Sequence, residues 1–217
     1  MEHHLLVFPK TGPVLSPAEK SHIPACFREA GFSDFQLTDS NRVNFGIAET
    51  VSRLHEQNHG LYLYGPAGTG KTMLACIMGN RLLGYGKSVR FANSRDMKQI
   101  FRHNEACEEK DRNQELEKAY FLILDDLGSE SFNTRELAQL LEFIDARFKE
   151  NRMTIFTSHY NPVELKEILT DRTEGLQNPA DAQILYEIIS RICLMAYMVE
   201  FEGEAYRMLH TNETKRS

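Results

Sequence analysis

The sequence predicts an α/β domain, a five-stranded parallel sheet with helices on both faces, on three observations. Short aliphatic and aromatic runs alternate with stretches of helical periodicity along most of the chain, the pattern of a doubly wound sheet. One run, "YFLILDD" (120–126), is apolar at successive positions, as strands covered on both faces are. Another, "GLYLYG" (60–65), leads straight into a glycine-rich turn and a helix.

Residues 1–38, interrupted by Pro9, Pro13, Pro17 and Pro24, carry little periodicity and read as an extended N-terminal arm available to a partner. The domain proper is expected over 39–210, with 211–217 a disordered tail. Asp39 or Ser40 is placed to cap a helix whose apolar positions are Val43, Ile47, Val51 and Leu54. The glycine-rich turn opens the helix "KTMLACIMGNRLLGYG", which Gly84 or Gly86 ends. "SVRFAN" is the second strand, and 94–119 is helical with a break near Asn104. After the third strand, "NTRELAQLLEFIDARFKEN" is a long amphipathic helix and "MTIFTSH" the fourth strand. "NPVELKEIL" is a short helix opened by Pro162, "ADAQILYEIISRICLM" the last helix, and "AYMVEFEG" the fifth strand.

Length allows one sizeable core. No apolar stretch approaches the roughly 20 residues of a membrane helix, so no membrane partner is expected. Cys26, Cys76, Cys107 and Cys193 are scattered, without a CxxC or a metal-like grouping, as reduced thiols of a cytoplasmic protein are. The net charge of -6 argues against a protein that lives by gripping duplex phosphates. Any nucleic-acid contact has to be a local patch or the sum over several subunits.

The turn at 65–72 reads Gly65-Pro66-Ala67-Gly68-Thr69-Gly70-Lys71-Thr72, a G-x-x-x-x-G-K-[ST] loop between a strand and a helix. Its glycines let backbone N–H groups point inward at phosphate oxygens, backed by the positive end of the following helix. Lys71 is placed for the β- and γ-phosphates and the Thr72 hydroxyl for Mg²⁺; Met73 completes the nucleotide-binding set. This is the loop of a P-loop NTPase, with ATP and Mg²⁺ as the expected cofactors. Asp125 closes an apolar run and is placed to hold Mg²⁺ with Thr72, while Asp126 beside it is placed to deprotonate an attacking water. That pair favours hydrolysis over transfer to a metabolite. A small-molecule kinase stays open, although no arginine-rich lid is evident, as does a module that uses ATP only to shape an interface.

With "LILDDLGSE", "IFTSHYNPVEL" and "ISRICLMAYMVEFEGEAYR" in this order, the chain resembles the AAA+ ATPases of the DnaC/DnaI-type helicase-loader family. It is also similar to the related IstB-type transposition helpers. The resemblance runs over about 23–207. It implies an AAA+ fold and slow ATP hydrolysis stimulated by DNA or a partner. It further implies ATP held between subunits of an ATP-dependent homo-oligomer, single-stranded DNA inside, and delivery of a replicative hexameric helicase. The IstB-type alternative acts on duplex DNA with a transposase.

Residue by residue, the resemblance places sensor 1 at Thr157, Ser158 and His159, where imidazole replaces the usual amide. It makes Arg191 an arginine finger reaching a neighbour's ATP and Arg207 a sensor 2, with Ala205 in place of the usual serine. It places DNA contacts on the helix "NSRDMKQIFRH", at Arg95, Lys98, Phe101 and Arg102. Phe32 and Phe35 of "FSDF" offer an apolar wall for the base. Loaders of this family usually carry a substantial N-terminal domain that grips the helicase, and the short arm here departs from that pattern.

Overall fold

The computed structural model describes residues 16–53, 58–102, 107–173 and 179–203. Its elements are α1 (Pro17–Lys20), α2 (Arg42–Arg53), β1 (Gly60–Tyr64), α3 (Lys71–Gly84), β2 (Val89–Asn93), α4 (Ser94–Arg102) and α5 (Cys107–Lys118). They continue with β3 (Phe121–Leu127), α6 (Thr134–Lys149), β4 (Met153–Ser158), α7 (Pro162–Arg172), α8 (Pro179–Met195) and β5 (Ala196–Glu200). All strand pairs are parallel, in the order β2-β3-β4-β1-β5. β4 therefore lies between the strand that feeds the glycine-rich loop and the strand that carries the two aspartates.

Alternate residues of β3 serve two cores. Phe121 and Ile123 pack with Leu61, Leu63 and Ile155 against α3, while Leu122 and Leu124 pack with Tyr62 and Phe156 against α4, α6 and α8. The period of two in a parallel strand accounts for this, and the absence of a polar face explains why the run reads as continuously apolar. The register of β3 on β4 shifts between Leu124 and Leu127, a bulge that holds Asp125 and Asp126. Asp126 there adopts φ +57°, a left-handed conformation that Asp and Asn tolerate better than most side chains.

The N-terminal reading needs correction. Residues 16–38 are folded onto the domain rather than extended: Ile23 and Phe35 are buried with α3, and Phe91 N–H on β2 donates to Ser21 O at 2.8 Å. Short 3₁₀ turns at Ala25–Phe27 and Phe32–Asp34, both after Pro24, carry the chain between these apolar anchors. Residues 1–15 and 204–217, the tail among them, lie outside the described residues. Asp39 and Ser40 do not cap α2, which starts at Arg42. Asn41 instead reaches back, accepting from Thr38 N–H and donating to Gln36 O. The buried face of α2 is Asn44, Ala48 and Ser52, with Val43 70% exposed, because Asn44 donates to Glu200 O and so turns the helix toward β5.

Arg147 on α6 is 1% exposed. Its guanidinium donates to the carbonyls of Leu116, Glu117, Ala119 and Met153 and to Thr154 Oγ1, tying the end of α5 to the starts of β3 and β4. Burial, and secondarily Arg152, pull its pKa down to about 9, which leaves it charged at neutral pH.

Candidate functional site

The carboxyl ends of β1, β3 and β4 meet at one cavity of about 740 Å³. A crevice beyond the strand ends of a parallel sheet is where such folds bind ligands. Its floor is the glycine-rich loop. Gly65, Gly68 and Gly70 have φ of +130°, +78° and +96°, as the motif requires. At Gly65 a Cβ would stand 2.1 Å from the carbonyl of Phe201, so no side chain fits there. Ala67, Gly68, Gly70, Lys71, Thr72 and Met73 line the cavity. Gly65, Pro66 and Thr69 complete the loop: Lys71 Nζ donates to Gly65 O (2.8 Å), Pro66 O (2.6 Å) and Thr69 Oγ1 (3.4 Å). Burial pushes the Lys71 ammonium down to about 8, against the opposing pull of Asp126 and Asp125.

The two aspartates occupy different surroundings. Asp125 Oδ1 accepts from Thr72 Oγ1 and Thr157 Oγ1, each at 2.7 Å, so β3, β4 and the first turn of α3 converge on one carboxylate. Desolvation raises its pKa despite those two hydrogen bonds. A buried carboxylate beside two hydroxyls is a hard oxygen set that suits Mg²⁺ completed by phosphate oxygens and water, so Thr72 and Asp125 fit that ion. Asp126 is half-exposed to the cavity, and its Oδ1 lies 3.3 Å from His159 Nε2. Its N–H donates to Thr157 Oγ1 and its carbonyl accepts from Ser94 Oγ at 2.9 Å. Ser158 also lines the cavity, but its hydroxyl donates to Leu127 O at 2.6 Å and braces the strand.

The roof comes from the N-terminal segment. Phe27, Asp34, Phe35, Gln36 and Asn41 line the cavity. Of these only Phe35 was legible as a base wall; Phe32 stacks instead beneath Arg81, 3.9 Å from its ring centroid. Nothing in the irregular sequence before α2 signals the other roof residues, because they reach the site by chain path rather than by a motif.

Arg191 does not line this cavity. It lies on α8 facing α6, with Nε 2.8 Å from Asp145 Oδ1 and its guanidinium over Phe148. Glu187, the neighbour one turn earlier, accepts from Gln183 instead. Arg207 lies outside the described residues. On α4, Phe101 is 3% exposed and packs in the core with Met97 and Ile100, so its expected contact with DNA is corrected: an apolar stripe at i, i+3, i+4 is the helix's inner face. Arg95 and Arg102 lie on the outer side, while the Lys98 side chain is only 14% exposed; each is near an oxygen of the segment that follows β3.

Against known proteins, residues 23–214 match the IstB-like ATP binding protein family. The chain belongs to that family. This IstB-like chain is 29% identical over 187 residues to the replicative helicase loader DnaI of Bacillus subtilis, covering 82% of the chain and 58% of DnaI. It is 29% identical over 156 residues to the chromosomal replication initiator protein DnaA of Campylobacter jejuni, 66% of the chain and 33% of DnaA. The chain thus spans about a third of the one relative and under two thirds of the other. A crystal structure of DnaI superposes with a TM-score of 0.72 at 25% identity, covering 83% of this chain and 95% of that one. The fold is that of AAA+ P-loop proteins. Among the described residues no helix is long and apolar enough to cross a membrane.

Proposed function

We propose that this chain is an ATP-dependent helicase loader of DNA replication. The observation that carries the reading is its similarity to DnaI over 82% of its length, a relative named as a replicative helicase loader. In this reading the triphosphate lies along 65–73, and Lys71 exchanges its loop carbonyls for the β- and γ-phosphate oxygens. Thr72 and Asp125 hold Mg²⁺, which when bound offsets charge on the phosphates. Asp126 accepts a proton from the attacking water, and His159 orients the Asp126 carboxylate. Arg191 leaves Asp145 to reach the ATP of a neighbouring subunit in a homo-oligomer. Arg207 serves as sensor 2, and Arg95, Lys98 and Arg102 meet single-stranded DNA while a hexameric helicase is delivered.

The second reading is an IstB-type transposition helper, favoured by the family match itself. ATP hydrolysis without DNA, with a single-stranded oligonucleotide and with the same sequence as duplex separates the two. Stimulation by the single strand is expected. Stimulation by duplex alone would overturn the loader reading in favour of the transposition helper.

Lys71 also sets a pH dependence. The triphosphate binds the ammonium form, so affinity is full below the free protein's value of about 8 and falls as pH rises through it. Between pH 7 and pH 9 the loss is expected to be about tenfold. Titration with a fluorescent ATP analogue measures it, and a flat profile across that range would show that Lys71 stays charged throughout.

A further inference from the structure

The two edges of the sheet are finished differently. On β2, Val89, Phe91 and Asn93 turn their backbone groups outward, and each has a partner there. Val89 O accepts from Arg90 Nη1, Phe91 N–H donates to Ser21 O, and Asn93 N–H donates to Asp96 Oδ2. On β5, Phe201 N–H donates to Tyr64 O, so by the alternation of a parallel ladder Ala196, Met198 and Glu200 face outward. Asn44 Nδ2 takes Glu200 O at 2.7 Å. The Met198 N–H and C=O have no hydrogen-bond partner among the described residues.

The side chains around this open stretch are apolar. Tyr197 is 53% and Met198 38% exposed, on opposite faces of the sheet. Tyr197 shares the face of Val199, the face on which α2 packs through Ala48. Arg81 of α3 holds Ser52 and Glu49, and Asn44 points at β5, so Val43 and Ile47 on the remaining side of α2 overhang the edge. Val43 is 70% exposed. An open strand edge rimmed by apolar side chains is a seat for one more strand.

The chain carries a run suited to that seat outside the described residues: Leu5-Leu6-Val7-Phe8, stopped by Pro9 and followed by Lys10. Laid parallel to β5, the run ends at Pro9, which lacks an N–H, at the level where Glu200 O already has its donor in Asn44. Lys10 then meets the exposed Glu200 and Glu202. Its own molecule cannot be the host. Ser21 holds the chain outside β2, about six strand spacings or roughly 29 Å from the space beyond β5. Any route over the helices or round the strand ends exceeds about 40 Å, more than the chain from Phe8 to Ser21, with α1 in it, can span.

We infer that Leu5–Phe8 of one copy add as a parallel sixth strand to the outer edge of β5 in a second copy. Arm and edge lie at different places on the surface, so the contact is head-to-tail and propagates into a ring or a filament. It uses no nucleotide and is separate from the ATP-dependent assembly proposed above.

The test is sedimentation velocity of the full chain without nucleotide over a concentration series. Wild type is expected to form dimers and larger species as concentration rises. Val7→Pro breaks the added strand, and Met198→Pro removes an outward N–H that owes no hydrogen bond to β1. Each is expected to raise the dissociation constant at least about tenfold. Both are expected to bind a fluorescent ATP analogue like wild type, which shows that the fold is intact. An equal mixture of the two variants is expected to recover dimers and to stop there, since each pair has one working arm and one working edge. Association kept by Val7→Pro but lost by Met198→Pro would mean that two β5 edges meet, and would overturn the arm as occupant. Association kept by Met198→Pro would seat the arm elsewhere and overturn the inference. Loss in both variants without recovery in the mixture would overturn the head-to-tail contact. A wild type that stays monomeric at every concentration would leave the edge to other residues of the same chain or to a different protein, and would overturn the inference while leaving the loader reading standing.

Discussion

Asp126→Asn is expected to bind ATP with near wild-type affinity and to hydrolyse it about 10²–10⁴-fold more slowly, the span of a lost general base. The two adjacent carboxylates divide their work by environment. Asp125 Oδ1 accepts from Thr72 and Thr157, and with the Mg²⁺ role proposed for it, its loss is expected to weaken nucleotide binding. Asp126 sits on the bulge at φ +57°, open to the cavity, with His159 Nε2 beside its Oδ1. Asn is also at home in the left-handed region, so the substitution removes the base without disturbing the backbone. Lys71→Ala serves as the contrast, expected to lose binding as well as turnover. Single-turnover hydrolysis with measured ATP affinity decides the matter. An Asp126→Asn protein within about fivefold of wild-type turnover would remove Asp126 from the chemistry.

Arg147→Met is expected to destabilise the protein by about 3–5 kcal/mol. The loss of the guanidinium leaves four carbonyls at the junction of α5, β3 and β4, three of them buried, without their donor. Methionine fills the space but donates nothing. For a chain of this length the melting temperature should fall by about 10 °C. Arg147→Lys keeps the charge but not the planar fork and should recover only part of the loss. Urea titrations with an unchanged m-value would report it cleanly, and a loss under about 1 kcal/mol would mean that water replaces the guanidinium.

The type and order of the elements could be read from the sequence because burial on one or both faces leaves a period in the apolar positions. The phosphate loop was legible for a different reason: only glycines at 65, 68 and 70 allow that backbone path. Strand order was not legible. The apolar runs of β1, β3 and β4 are chemically alike, and nothing in "MTIFTS" says that it inserts between the other two. The bulge was hidden too, since "DD" before a glycine reads equally well as a strand that stops. On α4 the cations drew attention to the helix, but Phe101 belongs to the stripe of Met97 and Ile100, which faces the core. The three ion pairs depend on Glu130 and Glu136, remote in sequence, and needed the tertiary structure to appear.

The place of β4 in the sheet bears on how the protein is made. β1 precedes the other described strands, yet its hydrogen-bonding neighbours are β4 and β5, which leave the ribosome only after β2 and β3. A nascent chain that ends before Met153 already carries Lys71, Thr72, Asp125 and Asp126 but has no strand to bring the loop and the acids together. Such long-range closure slows folding, and the half-made sheet keeps open edges that are prone to aggregation. Because ATP recognises only the closed arrangement, it selects finished chains and draws the folding equilibrium toward them.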